Sequence, residues 1–365
     1  MKLVFLDNID IDYTVETPYR VPLGGSQSAL CYLCEALAAQ GHEVHLVNHT
    51  TTPGAVRGVN VHAFEGDFLA AYSPAPAATI ILNRAGWGGQ IKPVLEAGTR
   101  FVLWMQHADD QPGAQPLLDA TERAYYDGFA FVSDWQRRRY VEVFGIDGRR
   151  TGVMRNAIGP RFAGMFDGAK SVAAAKAWPP VLVYTSTPYR GLDVLLDVFP
   201  SIRARRQGVR LKLFSSMAVY HEPSGVDPFE RLYAKARATE GVEYVGSVPQ
   251  PVLADELRRA AILAYPSTFA ETSCISVMEA MAAGCRVVTT ELGALAETTD
   301  GFGLLVEPGP GMPEAFAEAC LRAIDRASAP DGEAELRAQT EHVNRTTTWA
   351  VRAEEWVEWI GGLAG

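Results

Sequence analysis

The chain has 365 residues, enough for two domains of ordinary size, and 48% of them are hydrophobic, so two well-packed cores are expected. The formal net charge of −10 argues against a nucleic-acid-binding protein, because such proteins need basic surfaces for the phosphate backbone. No apolar run approaches the roughly 20 residues of a membrane-spanning helix.

The first residues, MKLVFLDNIDID, turn acidic at once and show no signal-peptide pattern. We therefore expect a cytoplasmic protein and leave open a peripheral association with the inner face of the membrane. The cysteines are an odd number, five, so a disulfide framework is not expected. Cys31 and Cys34 form a CxxC on an amphipathic helix, which favours small core residues over a redox pair. No HExxH and no second CxxC is present, so no metal site is predicted.

The first third of the chain begins with a strand–helix–strand pattern. A strand at Lys2–Asp7 is followed by a long loop, a glycine pair at Gly24 and Gly25, and a helix at Ser28–Gln40. The strand Glu43–Asn48 completes a βαβ unit, which is typical of a doubly wound α/β sheet. The glycine pair lets the backbone approach a ligand closely, although the GxGxxG spacing of a dinucleotide site is absent.

His107 stands out among the strands that follow, because it lies at the carboxyl end of an apolar strand, where α/β proteins bind ligands. Asp109 and Asp110 come next, and they are interpreted as loop acids or acceptor contacts because the DxD metal pattern is absent. The predicted strands here are Val59–Phe64, Thr79–Asn83, Arg100–Gln106, Gly128–Val132 and Thr151–Arg155.

A phosphate-binding turn is predicted after the strand Val181–Thr185. Thr187 suits a helix N-cap and Pro188 suits the first helical residue, so Arg190 is expected in the first turn of a helix. A guanidinium beside the positive end of a helix dipole would favour phosphate.

The most informative stretch is residues 261–290, which reads as strand, loop, helix and strand. Ala261–Tyr265 is an apolar strand, Ile275–Ala283 is a helix, and Gly284 stands where a left-handed cap is expected. Arg286–Thr290 is a second strand.

Two carboxylates, Glu271 and Glu279, frame this stretch eight residues apart. On one helix they would be roughly 80° apart, so the better interpretation places Glu271 in the loop and Glu279 inside the helix. The amides of Ser273, Cys274 and Ile275 would then point out of the helix start and form an anion site. A diphosphate flanked by two hydroxyl-rich rings fits such a pocket.

These residues carry a family resemblance. The sequences Ala270–Cys274 and Val277–Gly284 resemble the E-x7-E region of the retaining glycosyltransferases of family four. The resemblance implies the GT-B fold, an α/β architecture of two facing Rossmann-like domains with a C-terminal helix that crosses back to the first domain. In that family the first Glu faces the donor sugar and the second faces the ribose of the nucleotide.

The resemblance also implies roles for other residues. Arg190 takes the place of a phosphate-binding lysine, whereas an upstream arginine of the family is replaced by Thr185 or Ser186. The implied catalytic residues are His107, Arg190 and Glu271. The implied donor-binding residues are Gly24, Gly25, Ser186, Arg190, Ser216, Val248, Thr272, Ser273, Cys274, Ile275 and Glu279.

The expected domain organisation follows from composition and from the resemblance. Residues 1–165 form an acceptor-side domain, the Ala/Gly/Lys-rich residues 166–180 a linker, and residues 181–345 a nucleotide-sugar-binding domain. Residues 346–365, with Trp349, Trp356 and Trp359, are the helix expected to return to the first domain.

The implied function is retaining transfer of a sugar from a UDP- or GDP-sugar to a hydroxyl of a saccharide, lipid-linked or other acceptor, in surface glycan or glycoconjugate synthesis. No cofactor and no metal are expected. Three alternatives stay open: a sugar-nucleotide epimerase or hydrolase, a phosphorylase, for which no pyridoxal-phosphate lysine is evident, and a non-catalytic nucleotide-sugar-binding protein.

Overall fold

The computed structural model describes residues 1–64, 71–220, 227–327, 329 and 332–363. The chain divides into two compact units. The first unit comprises Met1–Pro18, Gly25–Ala157 and Trp349–Gly365, and the second comprises Tyr19–Gly24 and Ile158–Thr348. Both are α/β units built on a largely parallel sheet, as the strand–helix pattern predicts.

The chain passes from the first unit to the second between Ala157 and Ile158, earlier than the expected boundary at residue 165. Residues 166–180 are part of the second unit and not a separate linker. The physical reason is burial, because Phe162 and Val172 are fully enclosed in hydrophobic clusters of that unit.

The described strands are numbered β1 to β14 along the chain. They are β1 Lys2–Leu6, β2 Glu43–Asn48, β3 Gly54–Val56, β4 Val59–Ala63, β5 Ala78–Leu82, β6 Arg100–Met105, β7 Gly128–Phe131, β8 Thr151–Val153, β9 Val181–Tyr184, β10 Arg210–Leu213, β11 Val242–Tyr244, β12 Ile262–Tyr265, β13 Arg286–Thr290 and β14 Gly303–Val306.

The described α-helices are numbered α1 to α13 in the same way. They are α1 Thr17–Arg20, α2 Gly25–Ala39, α3 Gly88–Ile91, α4 Ala120–Tyr125, α5 Asp134–Phe144, α6 Leu192–Arg205, α7 Glu230–Ala238, α8 Gln250–Arg259, α9 Ile275–Ala282, α10 Leu295–Thr299, α11 Met312–Ala327, α12 Gly332–Thr346 and α13 Trp349–Gly362. Across these described ranges, none of the helices combines the length and the apolar character needed to span a membrane.

The sheet of the first unit has the strand order β3-β4-β2-β1-β5-β6-β7-β8, and its pairs are parallel except β3 with β4. Strand β1 therefore has β2 on one side and β5 on the other. The chain moves outward from β1 through β2 to β4 and then returns to place β5 against the opposite edge of β1. This reversal is a topological switch point, the position at which doubly wound sheets bind ligands.

Helix α2 begins at Gly25, not at the predicted Ser28. The first turn is anchored because the Gln27 amide donates to the buried Asp7 carboxylate at 3.1 Å, and Asp7 also accepts from the Tyr13 hydroxyl at 2.6 Å. Cys31 and Cys34 are both completely buried on this helix.

The C-terminal helix α13 belongs to the first unit, which confirms the predicted return of this helix. Its residue Trp356 is fully buried, with its ring centroid 5.1 Å from that of Trp104. Gly152 on strand β8 has no side chain because an added Cβ would lie 2.6 Å from the indole of Trp359. The tryptophan-rich end of the sequence is thus a packing surface of the first unit.

The second unit has a fully parallel six-stranded sheet in the order β11-β10-β9-β12-β13-β14. Every residue of β9 and β12 is buried, as expected for central parallel strands covered on both faces. Strand β9 pairs with β12, so the segments that follow these two strands emerge side by side at the carboxyl edge of the sheet. This pairing positions the candidate site.

Candidate active site in the second unit

The predicted strand–loop–helix–strand stretch is present as strand β12, a loop, helix α9 and strand β13. Gly284 has φ of 71°, the left-handed conformation predicted for the residue that closes the helix. Glu271 lies in the loop and Glu279 lies inside α9, which confirms the interpretation drawn from their spacing.

The buried Glu271 and the half-buried Arg190 form an ion pair. The Arg190 Nη1 donates to Glu271 Oε1 at 2.5 Å, and the Glu271 side chain is only 4% exposed. The hydroxyl of Tyr265, at the end of β12, also donates to Glu271 Oε1. Two donors therefore fix this carboxylate, and one of them carries a full positive charge.

The guanidinium of Arg190 lies against aromatic rings. Its central carbon is 4.6 Å from the ring centroid of Phe269 and 5.4 Å from that of Tyr189. Stacking of this kind restricts the orientation of the guanidinium. A fixed positive charge is thus held at the carboxyl edge of the sheet.

The predicted helix start at Pro188, with Thr187 as N-cap, is confirmed for a 3-10 helix but not for the α-helix that follows. Pro188–Arg190 form a 3-10 turn, and α6 begins only at Leu192, after Gly191 with φ of 101°. The reason is a close approach of two loops, because a Cβ on Gly191 would lie 2.1 Å from the carbonyl oxygen of Pro266. Arg190 therefore precedes α6 instead of lying in its first turn.

The start of helix α9 is a candidate anion-binding point. Its N-cap residue is Cys274, which makes no side-chain capping bond, and Ile275 is its first residue. The first amides of an α-helix have no partner within the helix, so this start can bind an anion. The Ser276 hydroxyl donates to the Thr185 carbonyl at 2.7 Å, which ties the first turn of α9 to the end of β9.

Glu279 is 2% exposed and accepts a hydrogen bond from the Gly159 amide at 3.2 Å. Burial raises the pKa of Glu279 from its usual 4.5 to about 8, and hydrogen bonds from Gly159 and the Gln250 side chain oppose this rise. At neutral pH the carboxyl group is thus mostly protonated, so it can donate as well as accept a hydrogen bond.

The loop that carries Glu271 is closed by Gly293. An added Cβ on Gly293 would lie 2.4 Å from the Glu271 carbonyl oxygen, and its φ of 69° is also in the left-handed region. The Ala294 amide donates to the same carbonyl at 2.7 Å. The backbone of Glu271 is therefore held as firmly as its side chain.

Several buried hydroxyls follow neighbouring strands of this sheet. In the part of the chain that the structure describes, the hydroxyl oxygens of Thr185, Thr187, Ser215 and Ser247 have no hydrogen-bond partner. They follow β9, β10 and β11, which are adjacent in the sheet. Buried polar atoms are rarely left unsatisfied in native proteins, so this edge is suited to a polar ligand.

The other predicted donor-binding residues lie in the second unit, with the exception of Gly25. Thr272 and Ser273 are buried beside Glu271, and the Ser186 hydroxyl is 3.5 Å from that of Tyr265. The Ser216 hydroxyl accepts from the Ala218 amide at 3.0 Å, so it stabilises its own turn.

Val248 is half-buried against the core of the second unit. Gly24 belongs to the second unit and Gly25 to the first.

His107 belongs to the first unit and follows β6, as predicted. Its side chain is exposed, whereas its carbonyl oxygen accepts hydrogen bonds from the Gln136 side chain at 2.7 Å and the Tyr140 hydroxyl at 2.9 Å. Asp109 in the following loop is held by Arg139 through two hydrogen bonds, at 2.7 and 3.2 Å.

Sequence reasoning missed Tyr265, Phe269 and Gln250, although each touches a predicted residue. Tyr265 was visible as the last residue of a predicted strand, and such positions reach the ligand edge of a parallel sheet. Phe269 and Gln250 gave no local signal, because their contacts depend on the packing of separate loops. Searching the described ranges, we find no group of three or more His, Cys, Asp or Glu side chains arranged to hold a metal ion.

Comparison with solved structures establishes the class of fold as GT-B. A glycosyltransferase from Rickettsia africae matches with a TM-score of 0.73 at 13% identity, over 99% of this chain and 98% of that one. Sucrose-phosphate synthase from Thermosynechococcus elongatus matches with a TM-score of 0.73 at 18% identity, over 100% and 99%. A structure of Anabaena HepE in complex with UDP and glucose matches with a TM-score of 0.64 at 13% identity, over 100% of both chains.

The family comparison concerns the second unit. Residues 179–326 match the family model described as Glycosyl transferases group 1. This domain indicates an enzyme of the hexosyltransferase type, in agreement with the expected class. No curated protein sequence matches the chain.

Proposed function

We propose that the protein is a retaining glycosyltransferase that moves a sugar from a UDP- or GDP-sugar to a hydroxyl group of a saccharide or another acceptor. The observation that carries the proposal is the arrangement at the carboxyl edge of the second sheet. There, in the described part of the chain, the Arg190–Glu271 pair and the buried, unpartnered hydroxyls accompany the start of α9, whose N-cap residue makes no side-chain capping bond. A guanidinium, helix-start amides and hydroxyls are groups that can bind a nucleotide diphosphate.

The bonds, electrons and protons of the proposed reaction balance without a cofactor. The bond between the anomeric carbon and the diphosphate oxygen breaks, and its electron pair goes to the diphosphate. The acceptor oxygen forms a bond to the anomeric carbon from the same face, and its proton goes to the departing phosphate oxygen. Negative charge therefore builds on the diphosphate in the transition state.

Arg190 and the first amides of α9 stabilise that negative charge. Removal of one such preorganised contact typically costs on the order of 10²–10³ in rate. Glu271 would hold hydroxyls of the donor sugar while keeping Arg190 in place, and the mostly protonated Glu279 would bind the ribose diol. His107 is proposed as a contact of the donor sugar from the resemblance alone.

Retention, independence from metal ions and a role in surface glycan or glycoconjugate synthesis are part of the same proposal. A cytoplasmic location fits a nucleotide-sugar donor. The structure of Anabaena HepE, determined with UDP and glucose, makes a UDP-sugar the first donor to test.

The decisive experiment has two steps. A thermal-shift panel of UDP- and GDP-sugars identifies the donor, and NMR of the product then reports the anomeric configuration, with and without EDTA. Arg190→Ala should reduce transfer about 10²–10³-fold while the fold is retained. Arg149→Ala is the matched control, because the Arg149 side chain is 90% exposed and pairs with Asp147, two positions away.

Three results would contradict the proposal. They are an inverted product, near-normal turnover by the Arg190→Ala variant, and consumption of the donor without any acceptor. The last result would instead identify the epimerase or hydrolase alternative.

A further inference from the structure

A cluster of aromatic and polar side chains lies at the carboxyl edge of the first unit's sheet, in residues that no comparison assigns. Its members follow four neighbouring strands, β4, β2, β1 and β5. We call it the first-unit edge cluster, and it consists of Asn8, His49, Phe64, Arg84 and Trp87.

The cluster is continuous. The His49 Nε2 is 2.7 Å from Asn8 Oδ1, and the His49 and Phe64 rings are 5.1 Å apart. The Phe64 ring meets Trp87 edge to face at 6.4 Å, and the Arg84 guanidinium carbon is 5.5 Å from the Trp87 ring centroid. Arg84 also donates weakly to the Asn8 carbonyl, at 3.5 Å. The contact between Arg84 and Asn8 joins the ends of β5 and β1, at the topological switch point of this sheet.

The turn that carries Arg84 is held rigidly. Asn83 has φ of 55°, a conformation that is uncommon for residues other than glycine and is concentrated at functional sites. Its amide donates to the Trp104 carbonyl at 2.8 Å, and its side-chain oxygen accepts from the Gln106 amide at 2.6 Å. Arg84 therefore projects from a backbone that is fixed on both sides of the strand end.

Arg84 presents an exposed guanidinium at this edge of the sheet. In the residues that the structure describes, no carboxylate lies within ion-pair distance of this exposed guanidinium. Two of the acids that follow β1 are bound elsewhere: Asp7 accepts from Tyr13 and Gln27, and Asp12 accepts from Thr51 at 2.5 and 2.9 Å. A fixed, exposed guanidinium beside a half-buried indole suits a ligand with both a negative charge and an apolar face.

From this geometry we infer that the first-unit edge cluster binds a saccharide that carries an anionic group. The sugar ring lies against Trp87, hydroxyls meet the polar atoms of Asn8 and His49, and the anionic group pairs with Arg84. The inference rests on the proposed function, in which such a saccharide is the acceptor, and it narrows the acceptor to an acidic or phosphorylated sugar.

The experiment measures binding by the full-length protein, so it does not depend on turnover. Glucose 6-phosphate, glucuronate, glucose and inorganic phosphate are titrated by calorimetry in the presence of saturating UDP, which occupies the proposed donor site. We expect the anionic sugars to bind more tightly than glucose and more tightly than inorganic phosphate. A preference for glucose 6-phosphate identifies a phosphate group, and a preference for glucuronate identifies a carboxylate.

Variants locate the site. Arg84→Gln should weaken binding of the preferred anionic sugar on the order of 10- to 100-fold and leave glucose nearly unchanged. Arg138→Gln is the matched control, because it removes one charge from an exposed arginine on α5 of the same unit. Trp87→Ala should weaken both sugars, whereas Trp87→Phe should restore most of the affinity, which separates stacking from misfolding.

The inference is overturned if no anionic sugar binds more tightly than glucose, or if Arg84→Gln and Arg138→Gln have equal effects. Arg190→Ala distinguishes the two proposals, since it should impair donor binding and leave the anionic sugar unaffected. If the native protein binds the anionic sugar but binds no nucleotide-sugar donor, the proposed function is refuted and the inference about the first-unit edge cluster is not.

Discussion

Glu279 allows a stringent test of the second-unit site, because its buried carboxyl group titrates in an accessible pH range. Its pKa is about 8 in the folded protein, against the usual 4.5. Because the folded-state pKa is raised, the stabilising contribution is complete below about pH 4.5 and is lost as the pH rises through 8. Linkage gives a loss of about 1.4 kcal/mol of unfolding free energy between roughly pH 7 and pH 9.

Glu279→Gln keeps the shape of the protonated acid and cannot ionise. Its amide oxygen can accept from Gly159, as the carboxyl group does at 3.2 Å. We expect the native protein to lose about 3–6 °C more in melting temperature than the variant when the pH is raised from about 7 to 9. Other groups, such as the buried Lys176, whose pKa is lowered by burial, titrate in both proteins and cancel in the comparison.

The assay is thermal unfolding of both proteins, followed by fluorescence, across this pH range. Parallel curves for the native protein and Glu279→Gln would refute the reasoning, since they would show that Glu279 does not take up a proton on folding.

Three further predictions concern the same site. Glu279→Ala should weaken nucleotide binding more than Glu271→Ala does, because Glu279 is assigned to the ribose; calorimetry that shows equal or reversed effects would contradict this division of roles. Gly293→Ala should lower the free energy of unfolding by about 1–3 kcal/mol or more, because the added Cβ would meet the Glu271 backbone at 2.4 Å and φ is positive. Urea unfolding measures this loss. Gly301→Ala controls for backbone strain, because its φ is also positive but no atom lies within 4 Å of its added Cβ. Tyr265→Phe should cost about 1.5–3 kcal/mol through the lost hydrogen bond to the buried Glu271 carboxylate, and an unchanged unfolding midpoint would show that this bond contributes nothing.

Much of the local structure was predictable, because its signals lie within short stretches of sequence. Gly284 ends α9, Ser133 caps α5 by accepting from the Gln136 amide at 3.0 Å, and Gly145 closes that helix with φ of 64°. Each of these features depends on residues within a few positions of one another.

Predictions from the sequence were wrong where contacts with a distant segment determine the local conformation. Thr187 and Pro188 start a 3-10 helix as their chemistry suggests, but the α-helix begins only after Gly191, whose backbone the Pro266 carbonyl approaches closely. Residues 166–180 have the composition of a linker, yet Val172 is completely buried in the second unit. Composition does not report such burial, because it depends on partners far along the chain.

The amino-acid sequence alone determined the alternation of strands and helices, the class of two largely parallel sheets, and the placement of Glu271 in a loop and Glu279 in a helix, since periodicity and capping act over a few residues. Only the tertiary structure decided that Arg190 pairs with Glu271, 81 positions away, and that Tyr265 and Phe269 hold the two in place. The physical reason is strand order: β9 and β12 are neighbours in the sheet, so their carboxyl-end loops meet, and no local pattern encodes which strands become neighbours.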